Sequence, residues 1–127
     1  MAGILRIEGK TRAEVSVLLV DNATIKKLNR KYRGLNRTTD VLAFSQQEGG
    51  YRQGNPDLLG DVVISIDKTL SQSRQYKQPF KKELCLYIIH GCLHLSGYDD
   101  IGRQRRSQMN KRQQEILDKL ELEGLCG

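Results

Sequence analysis

Leu84, Leu86, Ile88, Ile89, Leu93 and Leu95 make one stretch of this chain strongly apolar. A helix built from it has no broad polar face to offer water, so it must be largely buried. The same stretch carries both histidines of the protein, His90 and His94, four residues apart. On an α-helix that spacing sets two side chains on one face, one turn apart. Buried polar groups need partners, and two imidazoles so placed can grip one metal ion. Gly97 then offers a helix stop. Beyond it Asp100 can swing back as a third ligand. Two helical histidines plus a ligand after a glycine turn form an open, catalytic-type site with a position left for water.

Other readings of these residues stay open at this point. The histidines can be ordinary core or surface residues. Asp100 precedes a predicted helix and can be its N-cap. On spacing alone Asp99 fills either role equally well. Cys92 lies between the histidines in sequence but points half a turn or more away from them on the helix, so it is not counted as a ligand.

With 127 residues the chain is read as a single domain, 1–127, large enough for a real core. No apolar run approaches a membrane span. The N-terminus, MAGILRIEGKTR, lacks a signal-peptide pattern. Cys85, Cys92 and Cys126 show no paired framework, and Cys85 and Cys92, seven apart on the same apolar helix, read as buried free thiols. Together these features point to a reducing, cytoplasmic location. The net charge is +6, from 21 basic and 15 acidic residues. The basic residues cluster: Lys26, Lys27, Arg30, Lys31, Arg33 and Arg37 in one segment, Arg103, Arg105, Arg106, Lys111 and Arg112 in another. Taken alone, such clusters are ordinary solvated helix faces. Beside a hydrolytic metal site they suggest a polyanionic substrate, a phosphodiester chain. Two Phe, five Tyr and no Trp leave little for base stacking, so backbone-dominated, salt-sensitive binding is expected.

Along the chain, Glu14–Val20 (EVSVLLV) reads as a strand buried on both faces or nearly so. Asp21 can cap a helix with Ile25, Leu28 and Tyr32 at helical spacing, ended by Gly34. Residues 37–45 (RTTDVLAFS) form a second predicted strand and 58–66 (LLGDVVISI) a third. Between them, Gln46 to Pro56 is a polar, glycine-bearing loop, expected to be mobile. Asp67 to Tyr76 predicts a helix with a weak apolar face. Pro79 suits the first turn of the next helix, which runs to Leu95. A last helix spans Ile101 to Leu122, with Met109, Ile116, Leu117 and Leu120 as its apolar stripe. Strands with crossing helices predict an α+β fold, a small α/β sandwich.

Residues 90–100, HGCLHLSGYDD, resemble the signature of the YbeY family of endoribonucleases, H-G-x-L-H-L-x-G-Y-D-H, at every fixed position but the last. Residues 32–45, YRGLNRTTDVLAFS, are similar to the family's segment that opens on Y-R and closes on T-D-V-L-S-F. Residues 58–65, LLGDVVIS, are similar to its L-G-D-I-x-I-S strand. The resemblance implies a small mixed sheet flanked by helices, with a central metal-binding helix. It implies a zinc-dependent, single-strand-specific endoribonuclease acting in maturation of small-subunit ribosomal RNA and in ribosome quality control. Ribosomal RNA precursors, and ribosomal proteins of the small subunit, are the implied partners. The family's metal ligands map onto His90, His94 and Asp100, and its arginine for RNA binding or catalysis onto Arg33. His90, His94 and Arg33 are then the expected catalytic residues.

Two departures carry consequences. Asp100 stands where the family usually has histidine, and zinc accepts oxygen ligands. The family usually places a strand and a helix ahead of the strand matching EVSVLLV, where this chain has 13 residues. The start is read as naturally short or mis-assigned, with one sheet edge expected to be exposed.

Two rival functions share parts of this pattern. H-x-x-x-H-x-x-G-x-x-D is also the ligand spacing of metzincin-type peptidases, which carry a glutamate base after the first histidine. Gly91 occupies that position here and cannot move a proton. The second rival is a non-enzymatic RNA-binding or ribosome assembly factor with a structural metal. Structural zinc is usually closed by four protein ligands, and only three candidates converge in this sequence.

Overall fold

The computed structural model describes residues 14–45 and 58–122. Strand β1 (Glu14–Val20) stops at Asp21, whose carboxylate accepts the backbone N–H of Thr24 at 2.8 Å and caps helix α1 (Asn22–Arg33). Gly34, in the left-handed region, ends α1 and returns its N–H to the Arg30 carbonyl. Strands β2 (Val41–Ser45) and β3 (Leu58–Ser65) follow. The predicted second strand is shorter than 37–45. The third ends one residue early because the Ser65 hydroxyl accepts the Lys68 N–H and starts helix α2 (Ile66–Gln75). Helix α3 (Phe80–Leu95) begins just after Pro79, which serves as its N-cap without a side-chain hydrogen bond. Helix α4 (Arg103–Leu122) closes the described chain. The predicted loop of residues 46–56 lies outside the described residues.

The sheet has the order β1-β3-β2, with β1 parallel and β2 antiparallel to β3. It is therefore mixed, and the fold is α+β as expected. Alternation along β3 sorts the layers. Val63 and its cross-strand partner Leu42 face α1, forming a cluster with Ile25. Val62 faces the opposite way, against Gly91 of α3. The other side of α3 packs on α4: Ile89, Cys92 and Leu93 meet Met109, Ile116, Leu117 and Leu120. The predicted stripe of α4 is thus the buried one. Each such aliphatic side chain contributes roughly 1.5–3 kcal/mol relative to exposure. Helix α3 lies between the sheet and α4, as its apolar sequence demanded.

Two expectations need correction. EVSVLLV is not buried on both faces: Leu18 and Leu19 are 48% and 46% exposed. Among the described residues β1 is an edge strand, covered less fully than central β3. The thiols also differ from the expectation. Cys92 is free and fully buried, but Cys85 is disulfide-bonded. Cys85 sits half-buried at the margin of the α3–α4 cluster. Among the described residues no helix is long and apolar enough to cross a membrane.

Candidate metal centre

His90 and His94 stand on successive turns of α3 with their Nε2 atoms 3.1 Å apart. Their rings meet edge to face, at an interplanar angle of 79°. Two nitrogens on one tetrahedral zinc, each about 2.0–2.1 Å from it, lie roughly 3.3 Å from each other. The observed separation is close to that. The chain then turns back. Ser96 ends α3, Gly97 takes φ 104, and the Tyr98 N–H bonds to the Leu93 carbonyl at 2.9 Å. That positive φ is one L side chains rarely adopt, which is why glycine occupies the turn.

The turn separates the two aspartates by task. Asp99 accepts the Ile101 N–H at 3.0 Å and pairs with Arg105 at 3.2 Å, so it organises the entry to α4. Asp100 is the carboxylate that reaches the histidines. One ligand atom from each of His90, His94 and Asp100 lies within 4.8 Å of the others. Two imidazole nitrogens and a carboxylate oxygen suit a divalent cation such as zinc, and three protein ligands leave it an open position. The group could therefore hold a metal ion.

The far sides of the rings are also engaged. His90 Nδ1 lies 3.0 Å from the side-chain oxygen of Gln113 on α4. His94 is held below the usual histidine range, first by burial and then by His90; Asp100, a hydrogen bond to the Tyr98 backbone and Asp99 oppose this in part. A hydrogen bond that favours the imidazolium is one the ring donates, so the acceptor is the Tyr98 carbonyl. Burial and the neighbouring histidine thus favour a neutral His94, the form that binds metal.

Arg33 reaches the same place from the end of α1. It lines a cleft of ≈ 460 Å³ with β2, His90, His94 and Asp100. Its Nη2 donates to the Ala43 carbonyl at 2.7 Å, and its guanidinium lies 4.7 Å from the centroid of the Phe44 ring. Phe44 is in turn packed edge-on by Tyr32. The sequence-predicted residues Arg33, His90, His94 and Asp100 are therefore brought together, although 67 positions separate the first from the last. The remaining basic residues divide. Lys26, Lys27, Arg30 and Lys31 are exposed on α1, Arg37 just beyond it, and Arg103, Arg106 and Lys111 on α4. Arg105 and Arg112 are tied to Asp99 and Glu115.

Gly91 faces Val62, and a Cβ there would stand 2.6 Å from Val62 Cγ1. A glutamate base at this position would begin by running into the sheet, which removes the peptidase arrangement. Gln113 was missed by sequence reasoning. Its signal was available: it falls four residues after Met109 and three before Ile116, a polar residue within the apolar stripe of α4.

Comparison with known proteins places the chain in a family. The family model described as Endoribonuclease YbeY matches residues 3–121. An Endoribonuclease YbeY of Pelotomaculum thermopropionicum is 42% identical over 122 residues, 94% of this chain and 80% of that protein. That of Bacillus subtilis is 40% identical over 113 residues, 84% of this chain and 72% of its own length. The solution structure of TM1509 from Thermotoga maritima has a TM-score of 0.65 at 29% identity, covering 95% of this chain and 78% of that one. By sequence, this chain belongs to the endoribonuclease YbeY family.

Proposed function

We propose that this protein is a zinc-dependent endoribonuclease that cuts single-stranded segments of ribosomal RNA precursors. On this reading it acts in small-subunit maturation and ribosome quality control. The observation that carries the proposal is the shared cleft: a guanidinium and a candidate His/His/Asp metal group face the same space. A phosphodiester is the substrate such a pairing suits, because its charge needs neutralising as its bond is cut.

His90, His94 and Asp100 would hold the ion. When bound, it supplies Lewis acidity and the means to activate water near neutral pH. The chain supplies the rest. Arg33, anchored on the Ala43 carbonyl and the Phe44 ring, presents its fork to a phosphate and stabilises charge developing there. The exposed lysines and arginines of α1 and α4 hold the RNA backbone at longer range, with affinity that falls as salt rises. A cytoplasmic location follows from that substrate, and ribosomal proteins of the small subunit are candidate partners for the same basic faces.

The test is metal content by elemental analysis, measured on the parent and on His90→Ala, with cleavage of single-stranded RNA assayed on the same samples. About one zinc per chain, lost together with cleavage in the variant, is the expected result. A folded parent that binds RNA but neither holds metal nor cuts would replace this reading with a non-enzymatic assembly factor.

A further inference from the structure

We infer that Gln113 is a positioning residue for His90, and through it for the metal centre. A histidine can offer Nε2 to a cation only if its remaining proton sits on Nδ1. Something must accept that proton and hold the ring at the right angle. The side-chain oxygen of Gln113 is 3.0 Å from His90 Nδ1, in a part-buried position on a different helix. The orientation of the amide follows from chemistry. With its NH₂ turned toward Nδ1, glutamine would force the proton onto Nε2 and point an N–H at His94 Nε2 and the cation site. With its oxygen there, both Nε2 lone pairs converge.

The position is as informative as the distance. Gln113 lies on α4 between Met109 and Ile116, two residues with no exposed surface. The packing that buries those neighbours against α3 also brings the amide to His90. A lone polar side chain set in an apolar stripe is costly unless it finds a partner, and its partner here is a candidate ligand. The amide is neutral, so it orients the ring without adding negative charge to a centre that already contains Asp100. The structure thus couples the docking of α4 to the readiness of the site.

This inference rests on the metal reading above, and the experiment separates the two. Metal-stripped parent, Gln113→Leu, Gln113→Asn and Gln113→Glu are titrated with zinc against a chromophoric chelator. The His90 ring N–H is followed by NMR in the zinc-loaded proteins. Leucine removes the acceptor, and asparagine keeps the amide but shortens its reach. Each is expected to weaken zinc binding by about 10–100-fold, the usual scale for loss of such a partner. Each should also lose the slowly exchanging His90 Nδ1–H signal. Glutamate keeps an acceptor and should retain both properties. Parent-like zinc affinity in Gln113→Leu or in Gln113→Asn overturns the inference while leaving the metal centre standing. A parent that binds no zinc overturns the metal reading itself, and this inference with it.

Discussion

Gly91 of α3 and Val62 of β3 are in such close contact that a single added carbon would stand 2.6 Å from Val62 Cγ1. The helix bearing both histidines is pressed onto the sheet at this point with only the Val62 side chain between them. An added methyl must therefore push α3 away from β3. Gly91→Ala is expected to lower stability by about 1–3 kcal/mol through overpacking, despite alanine's better helix propensity. Shrinking the neighbour should recover part of the loss. Urea denaturation of Gly91→Ala, Val62→Ala and the double variant checks this, and strict additivity would show that the contact is not the cause.

Helix α3 was legible because its apolar residues surround the helix and its two histidines share one face. The buried stripe of α4 was legible for a similar reason, since Met109, Ile116, Leu117 and Leu120 recur at helical spacing. The choice between Asp99 and Asp100 was not. Adjacent carboxylates look alike until the Gly97 turn sends one toward Ile101 and Arg105 and the other toward the histidines. The exposure of Leu18 and Leu19 was hidden too, because a continuous apolar run does not say whether another element covers each face of the strand. Arg33 entered as one of eleven clustered basic residues and was singled out by family resemblance. Only β2, with its Ala43 carbonyl and Phe44 ring, shows why this arginine points into the cleft.

Arg33 is held at a defined angle by a carbonyl on one side and an aromatic ring on the other. Lysine would keep the charge but lose the planar fork and the stacking. Arg33→Ala is expected to reduce the turnover of single-stranded RNA by about 10²–10³, the scale for removing one donor from a developing oxyanion. Arg33→Lys should restore only a small part. Zinc content and melting temperature should stay with the parent in both. Full activity in the lysine variant would reduce the role of Arg33 to bulk charge.

Burial and the neighbouring His90 hold His94 below the ordinary histidine value of 6.5. The unfolded chain therefore takes up a proton at this position at higher pH than the native protein does. In the metal-free protein, stability should be complete above pH 6.5 and fall as the pH drops below it, because the unfolded state then binds more protons. His94→Gln removes the titrating group and should flatten this part of the curve. Chemical denaturation in the presence of chelator at pH 7.5 and pH 5.5, on parent and variant, reads the difference. An equal loss in both would assign the acid sensitivity to other groups.

In the proposed metal centre Asp100 would supply a carboxylate where the family resemblance implies a third imidazole, and that difference would set the charge available to acidify water. Two neutral imidazoles and one carboxylate leave less net positive charge on a divalent cation than three imidazoles do. A higher net charge lowers the pKa of water at the open position further. The acid limb of the pH–rate profile should therefore lie at lower pH in Asp100→His than in the parent. The comparison requires both proteins to be loaded with the same ion to the same stoichiometry, confirmed by elemental analysis, so that the shift reports acidity rather than occupancy. Superimposable profiles would mean that Asp100 does not touch the ion during turnover. The three-residue group would then reduce to its two histidines.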